Sequence, residues 1–299
     1  MDAVREVKHL QELSHPNIIK LHAVFSTRDQ NLNLVLEHLP LGDLETLWKN
    51  KDVSYGPADV KAWAGMLARA VWFCHENYVL HRDIKGNNLL IAADGEVKLA
   101  DFGLARSFAD PYRNMTCNVI TRFYRPPELL YGAKHYGGAV DVWSMGIVIA
   151  ELAIREFFLP SETDLEQLDR IAEVFGSPTE EVWPGVSKLE YYVAPSKEQT
   201  KRPLPLAWWK QKFGMLGDDG IDMLRTMCTL DPRKRATARQ ALEHPYWQAA
   251  PKPTLKQNLP RNAGGPKKMA EDLKRRGGEI EEGRADKVAR KLDFSAMKK

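Results

Sequence analysis

An α+β fold is predicted, with its few strands confined to the first hundred residues and a mainly helical body after them. Short apolar runs at 18–25, 32–36, 88–91 and 97–100 all fall before residue 101. From residue 139 onward the apolar spacing turns helical. The 299 residues are 43% hydrophobic and 28% charged, enough for a full core and one or two domains.

Each element has a local reason. Val4, Val7 and Leu10 recur at helical spacing, with Leu13 three further on, and predict a helix over 3–13. Pro16 ends it, because its ring biases the preceding residue away from helical backbone. Residues 18–25 (IIKLHAVF) and 32–36 (LNLVL) read as strands around a polar turn. A helix follows from about 57 to 77, with Ala62, Met66, Ala70 and Phe73 facing inward. Two β-like stretches, 88–91 and 97–100, flank the turn at Ala93-Asp94-Gly95. The most apolar helix, 140–154, is interrupted only by Asp141, Ser144 and Glu151 and reads as buried and central. Further helices are predicted at 165–175, 217–229 and 237–243, each bounded by Gly, Pro or a polar cap. Residues 251–299 hold nine Gly or Pro and few large apolar side chains, so they read as a flexible tail with marginal helical pieces at 267–276 and 284–294.

Composition excludes several classes. No run approaches 18 apolar residues, so no membrane span is expected, and the N-terminus lacks the pattern of a secretory signal. Cys74, Cys117 and Cys228 are widely separated, which argues against a disulfide scaffold or a zinc cluster and for an intracellular protein. The net charge of +3 divides unevenly: residues 251–299 carry +7 and the body −4. Direct sequence-specific nucleic-acid binding is therefore not expected, while the tail could be a targeting or interaction arm.

Three short signals carry chemistry. They are His81-Arg82-Asp83-Ile84-Lys85-Gly86-Asn87-Asn88, then Asp101-Phe102-Gly103 directly after an apolar strand, then Arg125-Pro126-Pro127-Glu128. Any one could arise by chance, and Asp83, Lys85 and Asn88 alone could be polar turn residues. Together, in this order and with 28 residues from Asp101 to Glu128, they match the protein-kinase signature set. The chemistry accounts for the residue types. A hydroxyl must lose its proton, and Asp83 is the carboxylate available for it. Mg²⁺ prefers carboxylate and amide oxygens, which Asp101 and Asn88 supply. Lys85 can set its ammonium near the transferred phosphoryl group, and Thr121 can fix Asp83 and Lys85 by hydrogen bonding. His81 and Phe102 are expected to pack in an apolar column with Leu10 and Leu21. Glu128, if buried, needs a cation, for which Arg235 is the candidate. Asp141 should accept backbone hydrogen bonds from the His81-Arg82 region, since an isolated buried carboxylate is costly.

The chain resembles eukaryotic protein kinases of the cyclin-dependent class. Val4-Arg5-Glu6 is similar to the end of the cyclin-binding helix, and residues 121–128 (TRFYRPPE) to the segment that reads proline after the target residue. Within the class, DAVREVKHLQELSHPNII, DFGLARSFADPYRNMT, SETDLEQLDRI, FGSPTEEVWP, PKPTLKQNLPR and ARKLDF resemble the cyclin-activating and transcription-initiation kinases. The resemblance implies a protein-kinase fold with a truncated small lobe, its first three strands absent, and a complete, mainly helical large lobe. Residues 1–39 would be the small-lobe remnant and hinge, 40–248 the large lobe and 249–299 the basic tail. It implies Asp83 as catalytic base, Lys85 as phosphate contact, Asn88 and Asp101 as metal ligands, and Glu6 as partner of an ATP-binding lysine. Leu36 would back the adenine pocket, Glu37 and Leu39 would be hinge contacts, and Leu90 the floor. Val119 and Arg125 would shape the pocket after the phosphoacceptor. Thr116 would be an activating phosphorylation site, its phosphate met by Arg5, Arg82 and Arg106.

The implied cofactors are ATP and Mg²⁺. The implied partners are a cyclin, a RING-type assembly factor and the general transcription and repair factor that holds them, with the RNA polymerase II C-terminal domain and other cyclin-dependent kinases as substrates, in the nucleus. Basic clusters at Lys267-Lys268 and Lys274-Arg275-Arg276 fit nuclear import or an acidic partner, and Leu292 and Phe294 are apolar anchors in a polar stretch. The departures from the family pattern are Gly86 for proline and Phe123 for tryptophan. In addition, only five residues precede Glu6, and no Gly-x-Gly-x-x-Gly occurs, the first glycine being Gly42. A catalytically impaired binding module is the alternative reading.

Overall fold

The structure, a computed structural model, describes residues 2–27, 32–108, 115–117, 119–261 and 290–291, with side chains for those between Glu6 and Arg261. Helix α1 (Asp2–Glu12) buries Val7 and Leu10 and is followed by an antiparallel pair, β1 (Leu21–Ser26) and β2 (Leu32–Leu36). Residues Ile18–Ile19, expected to open the first strand, lie outside it. Ile18 bridges Leu99 and the Ile19 N–H donates to Leu99 O at 3.0 Å, so these buried residues knit the N-terminal part to the helical body.

Helix α2 (Leu44–Lys49) starts where the Asp43 carboxylate accepts from Thr46 N, and it buries Leu44, Leu47 and Trp48. Helix α3 (Pro57–Glu76) opens with Pro57 in its first turn and the Asp59 carboxylate on the Gly56 N–H. Strand β3 (Val79–Leu80) then leads into the loop at His81, and a 3₁₀ turn at Gly86–Asn88 precedes the hairpin β4 (Leu89–Ile91) and β5 (Val97–Leu99). Strand β6 (Arg106–Ser107) pairs with β3. After the short helix α4 (Pro127–Leu130), α5 (Ala139–Ile154) runs through the core with Val140 to Ala153 all buried, and α3 packs against it. Helices α6 (Asp164–Phe175), α7 (Leu206–Phe213), α8 (Gly217–Met227) and α9 (Ala238–Leu242) complete the body. No described helix is long and apolar enough to cross a membrane.

The sequence reading leaves out α2 and α7. Helix α7 sits between prolines and Gly214, which imitates a loop, yet Trp209 and Phe213, four apart, bury and stack at 5.3 Å. The tail requires a larger correction. Residues assigned to it from 249 are held on the helical body as far as Arg261. The Lys61 ammonium donates to Ala249 O at 2.8 Å, Thr254 bonds Ala58 O and Asp59, and Leu259 is buried. Lys256 pairs with Asp94 (2.7 Å) and Glu96 (2.8 Å), and Arg261 donates to Ala93 O. Gly95 has φ +89°, and a Cβ there would lie 2.0 Å from Lys256 O, so only glycine lets the strap cross. Sparse apolar content hid this strap, because polar contacts at intervals anchor it. The helical pieces expected at 267–276 and 284–294 lie outside the described residues, except that Arg290–Lys291 form a strand, β7, against Phe25 and Ser26.

Candidate functional site

The loop after β3 is fixed from below by α5. Asp141 Oδ2 accepts from His81 N and Oδ1 from Arg82 N, both at 2.9 Å, and His75 Nε2 lies 3.0 Å from Oδ2. Burial pushes the Asp141 carboxyl up, but the two histidines and the backbone N–H of Arg82 outweigh it and hold it below the usual range. This clamp retains Arg82 in left-handed backbone, φ +66°, a conformation that costs about 1–3 kcal/mol. The His81 ring donates through Nε2 to Ala100 O at 3.0 Å and accepts the Asp83 N–H at Nδ1, 3.2 Å away. Its burial lowers the imidazole pKa, consistent with that neutral tautomer. The edge of His81 meets Phe102 at 4.7 Å; Leu10 lies in the same core and Leu21 packs against it.

Asp83 is the centre of this loop. Its Oδ1 accepts from the Thr121 hydroxyl at 2.9 Å, and its Oδ2 from Asn88 Nδ2 at 3.0 Å and Lys85 Nζ at 2.8 Å. Lys85 Nζ also reaches Thr121 Oγ1 at 3.1 Å. Burial raises the carboxyl, yet Lys85 and Thr121 more than offset it, so Asp83 titrates below its ordinary value and stays ionised at neutral pH. Asn88 spends its amide hydrogens on Asp83 O (2.8 Å) and Oδ2, which leaves its Oδ1 as the end for a cation. The Asn88 carbonyl accepts from Ala100 N, so Asn88 and exposed Asp101 are neighbours. Among the described residues no three His, Cys, Asp or Glu side chains cluster as a metal site. The donors Asn88 and Asp101 instead suit Mg²⁺, which takes one or two protein oxygens and completes its shell with phosphate and water.

Glu6 on α1 faces this pair. Burial, then the charge of Asp101, raises its carboxyl pKa, while the Phe102 N–H pulls it down. Just after the expected hinge, the chain is laid along β4: Leu41 N donates to Ile91 O and Ile91 N to Gly42 O at 2.8 Å. Half-buried Leu36 and Leu90 pack against the core, and Leu39 is buried within it. The Glu37 side chain turns aside to Lys98 at 2.9 Å.

Of the arginines assigned to Thr116, Arg82 is linked to it through a single side chain, Tyr136. Its Nε bonds Leu104 O, its NH1 bonds the Tyr136 hydroxyl, and Tyr136 donates to Thr116 O at 2.7 Å. Thr116 is exposed, Arg106 is in β6 two residues beyond Leu104, and the side chain of Arg5 lies outside the described residues. Further along, Ile120 has φ +68°, unusual for a β-branched residue. Arg125 braces it, donating from Nε to Val119 O (2.9 Å) and from NH2 to Ile120 O (3.1 Å). Glu128 and Arg235 are buried and bidentate at 2.7 and 2.9 Å.

A pair not foreseen is Tyr124 with Glu151, 2.9 Å apart and wholly buried. The acid inside an apolar helix was the only signal, since the sequence does not say which hydroxyl meets it. Burial pushes Glu151 up to about 8, against its bonds from Tyr124 and the Phe158 backbone. The folded chain thus holds a proton that the unfolded chain releases above its ordinary value of 4.5, and stability from this group falls as pH rises through that window. Denaturant titrations at pH 6 and 8 should show Glu151→Gln gaining about 2 kcal/mol on the unmodified protein over that interval. Parallel pH dependence of the two would refute it.

Comparison with known proteins agrees with this geometry. The family described as "Protein kinase domain" matches residues 1–247. The chain is 45% identical over 260 residues to the serine/threonine-protein kinase KIN28 of Saccharomyces cerevisiae, covering 85% of this chain and 81% of that protein. It is 46% identical to crk1 of Schizosaccharomyces pombe over 277 residues (92% and 81% covered), and 46% identical to cyclin-dependent kinase 7 of Xenopus laevis over 259 (87% and 71%). A solved chain in the CAK complex of Chaetomium thermophilum bound to ATP-γ-S superposes with a TM-score of 0.85 and 62% identity, covering 88% of this chain and 81% of that one. With the loop around Asp83, the neighbouring Asn88 and Asp101, and the segment braced by Arg125 arranged as described, the chain belongs to the protein kinase family, as a serine/threonine kinase of the cyclin-dependent, CAK type.

Proposed function

We propose that this kinase transfers the γ-phosphoryl group of ATP to Ser or Thr followed by Pro, with RNA polymerase II C-terminal repeats and cyclin-dependent kinases as its substrates. The observation that carries the reading is Asp83, kept ionised by Lys85 and Thr121 and bonded to Asn88 beside Asp101. Asp83 orients the acceptor hydroxyl and takes its proton; Lys85 meets charge spreading onto the phosphoryl oxygens. Asn88 and Asp101 would hold Mg²⁺, which supplies charge neutralisation when bound. Leu36, Leu90 and the backbone near Glu37 and Leu39 would receive the adenine, and Glu6 would orient a lysine bound to the phosphates. Proline has no N–H to bond the Val119 carbonyl, and Arg125 already occupies that carbonyl. Phosphorylation of Thr116 would draw on Arg5, Arg82 and Arg106. By likeness to the CAK assembly, its partners are a cyclin along Ala3–Leu10, a RING-type factor and the transcription and repair complex, and its place is the nucleus.

The sequence contains no glycine-rich phosphate loop, and that favours a second reading in which residues 1–299 by themselves clamp ATP poorly. Each lost electrostatic contact is worth several kcal/mol in the transition state. With a cyclin present, the chain should therefore run at least ~10²-fold slower than a version extended upstream through such a loop and a strand lysine. Equal rates would remove the second reading. Absence of any preference for Ser-Pro peptides in the extended version would remove the first.

A further inference from the structure

Helix α6 begins with Thr163 as its cap, its hydroxyl accepting the Glu166 N–H at 3.1 Å, and Asp164 is its first residue. A carboxylate there is favoured by the unpaired N–H groups and the dipole of the helix. Its two oxygens are divided between two guanidinium groups. Oδ1 accepts from Arg122 Nε at 2.9 Å, and Oδ2 from Arg125 NH1 at 3.0 Å. Arg122 also donates to Glu162 O at 2.7 Å, so the start of α6 is fastened to the segment 121–125 at two points.

The two arginines differ in what they need. The Arg122 side chain is 39% exposed and is well served by water, whereas that of Arg125 is only 11% exposed. Among its described contacts, Arg125 has the Val119 and Ile120 carbonyls and one anion, Asp164. Carbonyls orient a guanidinium without neutralising it, and a mostly desolvated cation needs a counter-charge. If that charge is removed, Arg125 gains by turning towards solvent, and its hold on the two carbonyls goes with it. Ile120, at φ +68°, would then be free to relax and swing the Val119 carbonyl back towards a substrate N–H.

We propose that Asp164 is a positioning residue for substrate choice: from the N-terminus of α6 it fixes Arg125 on the Val119 and Ile120 carbonyls and so makes proline the required residue after the phosphoacceptor. This rests on the Ser/Thr-Pro reading above. The test measures kcat and KM for matched Ser-Pro and Ser-Ala peptides, using the cyclin-bound kinase carrying its upstream residues, in the unmodified protein, Asp164→Asn and Asp164→Glu. Asparagine keeps the shape and loses the charge; glutamate keeps the charge on a longer stem. The expected result is a fall of about tenfold in the Ser-Pro over Ser-Ala ratio of kcat/KM in Asp164→Asn, most of it from faster use of Ser-Ala, with partial return in Asp164→Glu. A global loss of structure would slow both peptides together and lower Tm. An unchanged ratio in Asp164→Asn, equal slowing of both peptides, or no return in Asp164→Glu would overturn the proposal. No preference in the unmodified kinase would instead overturn the Ser/Thr-Pro reading itself.

Discussion

Asp83→Asn should reduce phosphoryl transfer by about 10³-fold while leaving the fold in place. Asparagine is nearly the same shape and its oxygen can still accept from Thr121, while its NH2 would face the Asn88 amide and the Lys85 ammonium, the latter exposed enough at the site to turn aside. What it loses is the negative charge that Lys85 and Thr121 stabilise and the basicity to take a proton from the acceptor hydroxyl. General-base catalysis by a positioned side chain contributes about 10²–10⁴-fold, and a neutral amide supplies none of it. The measurement is steady-state kinase activity of the cyclin-bound, upstream-extended protein beside its Tm. A Tm within about 3 °C of the unmodified value, with activity down by orders of magnitude, is the expected pattern. A loss of less than about tenfold would deny Asp83 the role of base proposed for it.

Glu128→Ala should produce the largest loss of stability, about 3–5 kcal/mol. The Arg235 side chain is fully buried, and it spans three backbone carbonyls, Thr229, Ala139 and Leu230, in addition to Glu128. Those carbonyls keep the guanidinium in place but cannot balance its charge once the carboxylate is gone. The pair joins α4 to the turn before α9, so the penalty is paid where two distant parts of the chain meet. Chemical denaturation of the single variant gives the loss, and the double variant Glu128→Leu/Arg235→Met separates its origin. If an uncompensated charge is responsible, the double variant recovers a large share of the stability. A single variant losing under about 1 kcal/mol would mean that water or another group reaches Arg235.

The helical half of the fold was legible because its signals are local. Buried α5 announces itself by composition, and its exceptions, Asp141, Ser144 and Glu151, mark the places where it must bond something outside itself. For Asp141 the backbone of the His81-Arg82 region was named as partner, since an isolated buried carboxylate is costly, and the structure places both N–H groups on it. For Glu151 it could not, because nine tyrosines were available and pairing is decided by packing. Ile18 and Ile19 were misplaced for a related reason: their apolar side chains fit a strand, but a partner 80 residues away takes their backbone. Lys85, Asn88 and Asp101 could be singled out because chemistry constrains both residue type and order, and the structure gathers Lys85 and Asn88 on Asp83 with Asp101 beside Asn88. Asp164 was not, since an acidic residue at a helix start is commonplace and only the fold brings two arginines to it.

The strap at residues 249–261 changes how the molecule can come apart. Glu96 is the shared point, accepting from Lys256 on one oxygen and from Asn17 Nδ2, at 2.6 Å, on the other. Asn17 in turn closes the link between α1 and β1, donating to Val97 O at 3.0 Å. Peeling the strap away leaves Glu96 with one partner instead of two, and loosening α1 at its C-terminal end removes the other. The two openings therefore draw on the same carboxylate, which makes them parts of one cooperative unit in local unfolding. Amide protons along 251–261 and those around Asn17 would exchange together, although more than 230 residues of sequence separate them.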